Sequence, residues 1–216
     1  MISKINILHQ DEWLIAVEKP SGLLVHRSSE ARDKIFLLQL LRNQLGSHVF
    51  PVHRIDRAAS GIVVFALSGE GAHRLQSSLG LETTIKEYIA LVRGITPPTE
   101  TIDLPLTNDR GVKQSALTHY ETTKTFDEYS LIKVQIKTGR RHQIRRHLEH
   151  MKHHVIGDTR YGKGRINKFF REQYHLQRIF LHASKLSFYH TAAQHEYLIE
   201  SLLPADLQDV LNKLKI

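Results

Sequence analysis

Short apolar runs bounded by turn residues predict a series of strands along the chain. They cover residues 13–17, 62–67, 87–94, 116–120, 129–137 and 179–189. The run that begins at Ile62 is apolar at every position, which is typical of a strand buried on both faces. In the run 129–137, Ile132, Val134 and Ile136 share one face and polar residues the other, so we expect one solvated side.

Apolar positions at helical spacing, with terminal signals, predict four helices, over residues 35–45, 70–79, about 139–150 and 204–214. Gly46 and Gly80 follow the first two helices as C-caps. Gly139 breaks the strand that precedes the third helix. Pro204 suits the first turn of the fourth, where its missing N–H is no loss.

The segments 18–22, 97–98 and 107–113 are rich in turn residues and are interpreted as surface turns and loops. Helices and strands interleave without a regular strand–helix–strand rhythm. We therefore expect an α+β fold, in which helices flank a large mixed, mainly antiparallel sheet. No repeat or long linker interrupts the pattern, so a single domain spanning residues 1–216 is the simplest prediction.

The composition narrows the classes of function. Among 216 residues, 30 are Lys or Arg and 22 are Asp or Glu, which gives a net charge of +8. Clustered positive charge favours polyanions such as nucleic acids. The absence of cysteine excludes disulfides, thiol catalysis and cysteine-bound metal. No apolar run reaches the roughly 18 residues of a membrane span, and no signal peptide is recognisable, so we expect a soluble, cytoplasmic protein.

One carboxylate stands out because of its neighbours. Asp56 lies between Arg54 and Arg57, just before the buried run that begins at Ile62. The flanking guanidinium groups favour the ionised carboxylate. An ionised acid suits a nucleophile, a base or an electrostatic stabiliser, and it equally suits a structural ion pair. The local pattern leaves both interpretations open.

The most strongly basic segment covers residues 137–148. It carries five lysines and arginines before the first acid, Glu149: Lys137, Arg140, Arg141, Arg145 and Arg146. On a helix, Ile144 and Leu148 form a core-facing stripe, and Arg145 lies at its rim, where it could meet a partly buried carboxylate. Lys137, Arg140 and Arg146 would stay hydrated and face phosphates. The alternative is a solvated helix face without further function.

Two further groups of residues suggest chemistry. His147, His150 and His154 have a spacing that could form a metal site, but they lie among arginines with few acids nearby, so we expect no metal. Tyr88, in the sequence KEY at 86–88, either packs in the core or presents its ring to a nucleobase. No glycine-rich phosphate loop is recognisable, so nothing requires a nucleotide cofactor.

Taken together, these motifs resemble those of the RluA-type pseudouridine synthases. The stretch HRIDRAASG at 53–61 resembles the family's H-R-L-D-x-x-T/S-S-G box. The sequence KEY at 86–88 resembles its K-x-Y box, and TGRRHQIR at 138–145 its T-G-R-x-H-Q-I-R box. Shorter segments at 17–22, 156–162 and 181–183 fit as well, so the resemblance runs in order over nearly the whole chain.

This resemblance implies one α+β catalytic domain crossed by a deep basic cleft, and an enzyme that isomerises uridine in RNA without cofactor or metal. It makes Asp56 the essential carboxylate, Tyr88 the ring packed on the target uracil and Arg145 the partner that holds Asp56. Arg54 matches a residue that keeps the target nucleotide flipped out of its stack. The other residues expected to bind RNA are Arg57, Lys86, Lys137, Arg140, Arg141, His142 and Arg146.

Within the family, the segments 7–17, 49–50 and 145–148 resemble the branch that modifies uridine 65 of tRNA. That branch implies tRNA as the partner, and it agrees with the expected absence of a preceding S4-type RNA-binding domain. We also expect a monomer. A ribosomal RNA pseudouridine synthase is the alternative enzyme. A non-catalytic RNA-binding protein on the same scaffold is the alternative from another class, and the joint presence of the acid, the tyrosine and the arginine favours the enzyme.

Overall fold

The computed structural model of the chain describes residues 4–27 and 34–214. Its strands are β1 (Asn6–Gln10), β2 (Leu14–Lys19), β3 (Phe50–Pro51), β4 (Ser60–Ala66), β5 (Ile85–Arg93), β6 (Thr99–Asp103), β7 (Leu106–Thr107), β8 (Lys113–Gln114), β9 (Leu117–Phe126), β10 (Tyr129–Ile136), β11 (Leu181–His190) and β12 (His195–Glu200). Its helices are α1 (Leu37–Leu45), α2 (Gly69–Leu79), α3 (Gln143–His150), α4 (Gly164–Tyr174) and α5 (Ala205–Leu214).

The chain forms two compact units. The first comprises Met1–Ile85 and Ala183–Ser201, and the second comprises Lys86–His182 and Leu202–Ile216. In the first unit β2 pairs antiparallel with both β1 and β4, and β12 pairs antiparallel with β11. Leu75 and Leu79 of α2 pack in a core with Val64 and residues of the flanking strands, so the helix covers the sheet.

Local signals explain the helix ends of the first unit. Leu37 and Leu41, one turn apart, bury the inner face of α1. Gly46 ends this helix in the left-handed conformation, with φ 67°, and its N–H donates to the Arg42 carbonyl. At the start of α2, the Ser68 hydroxyl accepts a hydrogen bond from the Gly71 N–H, which satisfies one of the unpaired donors of the first turn.

In the second unit β10 pairs antiparallel with β5 on one side and β9 on the other, and β6 pairs with β9. The short strands β7 and β8 form a separate hairpin. The helices α4 and α5 share a core with Leu91 of β5, in which Phe170, Leu207 and Leu211 are buried. Along β10 the buried positions alternate, because only one face of this strand meets the core.

The α+β class and the large, mainly antiparallel sheet are confirmed. The prediction of an irregular loop at 107–113 was wrong at its ends, because Thr107 pairs with Lys113 in the β7–β8 hairpin. The predicted turn at 18–22 was wrong at its start, because Glu18 and Lys19 still belong to β2 and pair with β4. The third helix begins at Gln143, not near Gly139, since Gln143 uses its side chain to fix the turn before it. No prediction covered α4. The single domain and the basic cleft stay predictions.

Candidate active site

Asp56 lies half-buried in the loop that leads into β4 of the first unit. The fully buried Lys19, at the end of β2, fixes this loop. Its ammonium group donates to the carbonyl oxygens of Pro20 at 2.8 Å, Leu23 at 2.8 Å and Arg57 at 3.1 Å. A buried ammonium group requires such acceptors, since an unpaired charge would be very costly. Lys19 therefore ties the residue after Asp56 to the turn after β2.

Further bonds join the same two segments. The Gly22 N–H donates to the Arg57 carbonyl at 2.8 Å, and the Arg57 Nε donates back to the Gly22 carbonyl at 3.0 Å. The Ser21 hydroxyl donates to the Ala58 carbonyl at 2.5 Å. The carbonyl and Nε groups of Arg57, a predicted RNA-binding residue, thus stabilise the loop, although the residue is exposed. Arg54, on the other side of Asp56, is also exposed.

Two residues of the HRIDRAASG stretch set the start of β4. The Val64 N–H donates to Nε2 of His53 at 3.0 Å, so the neutral ring carries its proton on Nδ1. Gly61 has φ 116°, which side chains rarely adopt, and a Cβ there would overlap the carbonyl group of Ala183. The glycine is therefore required by both the backbone conformation and the close approach of another strand.

In the second unit, Arg145 forms a buried ion pair with Asp158. Nε donates to Oδ2 at 2.7 Å and Nη2 donates to Oδ1 at 2.9 Å. Arg145 is 6% exposed and Asp158 1% exposed. The predicted position of Arg145 near a carboxylate is thus observed, but the described partner is Asp158, to which the sequence reasoning gave no function.

The Asp158 carboxylate is also held by backbone groups. Its Oδ1 accepts hydrogen bonds from the N–H groups of Arg160 at 2.9 Å and Tyr161 at 3.0 Å. Burial by itself would raise the pKa of Asp158, but the hydrogen bonds from Arg145 and Tyr161 outweigh it and hold the pKa below its usual range. Asp158 therefore remains ionised and keeps Arg145 in one orientation.

Tyr161 covers one side of this ion pair. The Arg145 guanidinium carbon lies 5.1 Å from the centre of the Tyr161 ring, and that of Arg160 lies 5.6 Å from it. The Tyr161 hydroxyl is 3.0 Å from Nδ1 of His142, a predicted RNA-binding residue. These contacts join the start of α3 to the segment 158–161.

The segment around Asp158 is shaped by glycines and by Asn167 of α4. Gly157 has φ 78°, and a Cβ there would overlap the Arg178 carbonyl. The Asn167 side chain accepts from the Gly157 N–H at 2.9 Å and donates to the Asp158 carbonyl at 2.7 Å. Helix α4 thereby buttresses the carboxylate that positions Arg145.

Gln143, at the start of α3, organises the TGRRHQIR stretch. Its buried side chain accepts from the Thr138 hydroxyl at 2.7 Å and from the Arg140 N–H at 3.1 Å. It donates to the Leu117 carbonyl at 2.9 Å and to the Thr118 hydroxyl at 3.0 Å. Since these bonds use both ends of the amide, Gln143 holds the turn against β9.

Several predicted phosphate-binding arginines contact the neighbourhood of the β7–β8 hairpin. Arg140 donates to the Ser115 carbonyl at 3.0 Å. Arg146 donates to the Thr107 carbonyl at 3.1 Å. Arg141 forms an exposed ion pair with Asp109 at 2.5 Å. Arg140 and Arg146 are half-buried and therefore less hydrated than the sequence predicts, whereas Arg141 stays exposed. The three contacts dock the hairpin region onto the start of α3.

Strand β5 carries two further predicted site residues, Lys86 and Tyr88. Tyr88 is half-buried and lies opposite Val134 of β10. Burial lowers the pKa of Lys86, and the positive charge of Lys137 lowers it further. The two positive charges therefore lie close enough to influence each other.

The histidines of the basic segment have structural partners. His147, fully buried, lies 2.9 Å from the Leu104 carbonyl through Nε2 and 2.9 Å from the Thr118 hydroxyl through Nδ1. His154 lies 2.7 Å from the Tyr161 carbonyl through Nδ1. Within residues 4–27 and 34–214, no group of three or more His, Cys, Asp or Glu side chains could hold a metal ion.

Sequence reasoning missed the functions of Lys19, Gln143, Asp158 and Tyr161. One signal was available for Lys19, because it shares its face of β2 with Ile15 and Val17, and a lysine on an apolar face needs a partner for its charge. The function of Asp158 could not be read locally, since its partner Arg145 lies 13 residues earlier in the chain.

Comparison with known proteins identifies the class. Residues 13–150 match the family model described as RNA pseudouridylate synthase, so the chain belongs to that family. Two relatives named tRNA pseudouridine synthase C are 39% identical (Vibrio cholerae) and 36% identical (Haemophilus influenzae). Each alignment covers 97% of this chain, with 95% of the first relative and 97% of the second.

Solved structures support the fold. The human RNA pseudouridylate synthase domain containing 4 superposes with a TM-score of 0.81 at 23% identity, over 97% of this chain and 93% of that one. The human domain containing 1 gives 0.74 at 20% identity, over 100% and 96%. The family predicted from the sequence motifs is confirmed. The protein is an RNA pseudouridine synthase, an isomerase that acts on RNA.

No helix among residues 4–27 and 34–214 is both long enough and apolar enough to cross a membrane.

Proposed function

We propose that the substrate is tRNA and that the modified uridine is the one at position 65, in the T stem. The observation that carries this proposal is the likeness to relatives named tRNA pseudouridine synthase C, at 39% identity over 97% of the chain in one case. Because that likeness extends over almost the full length, it includes surfaces beyond the reacting centre. The segments 7–17 and 145–148 point to the same branch.

We propose Asp56 as the catalytic carboxylate. In the reaction the N1–C1′ bond of uridine breaks, the uracil turns, and a C5–C1′ bond forms while C5 loses a proton and N1 gains one. An ionised aspartate can attack C1′ or remove the 2′ proton, and either step needs the carboxylate held in place. The bonds from Lys19, Ser21 and Gly22 to residues 57 and 58 support this assignment, because they fix the backbone beside Asp56.

Tyr88 and Arg145 are the proposed partners of that carboxylate in the reaction. Tyr88 offers an aromatic face on which the uracil ring can pack. Arg145 supplies a fixed positive charge that keeps an acid ionised. The bidentate pair with Asp158 supports this role of Arg145, because it sets the orientation of the guanidinium before substrate binds.

The remaining cations are proposed to bind RNA. A uridine inside a helix must be flipped out, which costs a few kcal/mol of lost stacking and pairing, and phosphate contacts offset that cost. Arg54 would keep the flipped nucleotide out of its stack. The proposed phosphate-binding residues are Arg57, Lys86, Lys137, Arg140, Arg141, His142 and Arg146. The closeness of Lys86 and Lys137, whose positive charge lowers the pKa of Lys86, supports this, because neighbouring cations attract phosphates.

The test is carbodiimide mapping of pseudouridine in unmodified tRNA and ribosomal RNA after incubation with the purified protein. We expect a new pseudouridine at position 65 of tRNA, none with Asp56→Asn, and normal activity with Asp127→Asn, an exposed residue of the β9–β10 turn. Modification of ribosomal RNA alone would refute the proposed substrate. Full activity of Asp56→Asn would refute the catalytic assignment, and tRNA binding without any pseudouridine would favour a binding protein.

We further propose that the protein works as a monomer in the cytoplasm. Sedimentation velocity at micromolar concentration, with and without tRNA, tests the oligomeric state, and cell fractionation with an antibody tests the compartment.

A further inference from the structure

Helix α4 presents an exposed face on which basic residues surround an aromatic ring. Arg165, Lys168 and Phe169 lie three and four residues apart, so they share one side of the helix. All three are exposed, whereas Asn167 and Phe170 on the other side are buried. The exposed side is therefore not required by the core of the unit.

The charge of this region has a single sign. From residue 160 to residue 171 five exposed cations occur without an acid: Arg160, Lys163, Arg165, Lys168 and Arg171. Glu172 follows and lies 3.8 Å from Lys168 at an exposed site. Such a pair is weak in water. Asp109 lies close enough to Arg160 for the two charges to interact, but the group still carries a net positive charge, which attracts a polyanion.

Phe169 adds an apolar element to the same face. It is 43% exposed, although its ring is held by edge-on contacts with Phe170 and Tyr174, each at 5.8 Å between ring centres. A ring fixed in this way loses little conformational freedom when a ligand packs on it. Aromatic rings between cations are typical of surfaces that bind RNA sugars or unpaired bases.

The basic face begins beside a proposed site residue of the same unit. The Arg160 guanidinium lies over the Tyr161 ring at 5.6 Å, and the Arg145 guanidinium lies 5.1 Å from that ring. Asn167, on the inner side of α4, bonds to Asp158, the partner of Arg145. The helix is thus fixed with respect to Arg145 on its buried side and basic on its exposed side.

We propose that the exposed side of α4 (Arg165, Lys168 and Phe169), together with the cations Arg160 and Lys163 just before the helix, binds the RNA substrate outside the target nucleotide. The cations contact backbone phosphates, and Phe169 contacts a sugar or an unpaired base. This inference deepens the proposed function, since it requires an RNA substrate and adds a second binding surface to the predicted one around α3. It assigns no chemical step to α4.

The experiment compares the triple variant Lys163→Gln, Arg165→Gln, Lys168→Gln with the wild-type protein, using full-length unmodified tRNA as the probe. Each lost phosphate contact reduces the slope of log K against log salt by about 0.7–0.9, so the triple variant should lower the slope by roughly 2 to 3. We expect Kd at moderate salt to rise by about tenfold or more and kcat at saturating tRNA to stay unchanged.

The matched control carries the same loss of charge at exposed positions outside α4 and α5, Lys4→Gln, Lys34→Gln, Lys133→Gln. It should bind tRNA within about twofold of the wild-type protein, since exposed charges outside the binding surface are largely screened by salt. Equal Kd values and equal salt slopes for the α4 triple variant and this control would show that α4 does not bind RNA. The exposed side of α4 would then bind a protein partner or have no binding function. Pseudouridine formation by the wild-type protein is measured separately, so that a failure of the proposed substrate can be distinguished from a failure of the proposed binding surface on α4.

Discussion

Arg145 and Asp158 are joined by two parallel hydrogen bonds in a buried part of the second unit, Nε to Oδ2 at 2.7 Å and Nη2 to Oδ1 at 2.9 Å. This planar, bidentate geometry suits a guanidinium and not an ammonium group. The pair connects the start of α3 with the segment that α4 supports through Asn167. A proposed catalytic arginine is therefore oriented by a residue with no proposed contact to the substrate.

Replacing Asp158 tests this positioning. Asp158→Asn removes the carboxylate that forms the bidentate pair with the buried Arg145 guanidinium, so we expect the free energy of unfolding to fall by about 3–5 kcal/mol. We also expect kcat to fall by about 10- to 100-fold, because misplaced catalytic groups lose much of their effect. Urea denaturation and initial rates at saturating tRNA measure the two quantities.

The control for that variant is Asp109→Asn, which breaks the exposed ion pair with Arg141. Its urea midpoint should match that of the wild-type protein, because exposed pairs stabilise little. A fall in stability for Asp158→Asn with an unchanged kcat would show that the pair is only structural.

Lys19 offers a second test. Lys19→Met keeps the length of the buried side chain but leaves the carbonyl groups of Pro20 and Leu23 without their donor. We expect the free energy of unfolding to fall by about 2–4 kcal/mol, the cost of unsatisfied buried carbonyl groups. Because the third bond fixes Arg57 beside Asp56, kcat should fall as well. Lys4→Met, at an exposed position, should change neither quantity.

Gly61 and Gly111 form a matched pair, since both have φ between 70° and 120°. Gly61→Ala combines backbone strain with overlap on the Ala183 carbonyl, so we expect a loss of at least about 3 kcal/mol in unfolding free energy. Gly111→Ala adds a Cβ to open space, and strain alone should cost about 1 kcal/mol. Equal melting temperatures for the two variants would contradict the close contact at Gly61.

The pH dependence of stability should reflect His147. Burial lowers the pKa of His147 below its ordinary value, and the charge of Arg146 adds to this effect, while the bond to the Leu104 carbonyl opposes it. The unfolded chain therefore binds a proton more readily, and the stability present above pH about 6.5 is lost as the pH falls through the folded-state pKa. The slope reaches up to about 1.4 kcal/mol per pH unit for one histidine.

Urea titrations between pH 5 and pH 7.5 measure this slope. We expect it to be smaller in His147→Gln than in the wild-type protein. His150→Gln, at an exposed position of the same helix, should retain the wild-type slope. Burial also lowers the pKa values of His154 and His190, which contribute in the same pH range, and the depressed pKa of Asp158 adds a further loss of stability only at more acidic pH, below its ordinary value of about 3.8.

Much of the local structure was predictable from the sequence. The apolar run before Leu67 is strand β4, and the leucine spacing before Gly46 is helix α1. These predictions succeed because periodicity and terminal residues act within one element. The prediction failed at α4, whose residues Gly164 to Tyr174 mix charged and aromatic residues in a pattern that we did not recognise as helical.

The sequence by itself determined the family, because each of the family's motifs is a contiguous stretch of residues. The order of these motifs along the chain can be read without knowing the fold. It also determined the candidate acid, tyrosine and arginine. Only the tertiary structure decided what holds them. Lys19 reaches Arg57 across 38 residues, Gln143 reaches Thr118 across 25 and Arg145 reaches Asp158 across 13. Buried polar groups must find partners wherever folding brings them, and no local pattern records which partner that is.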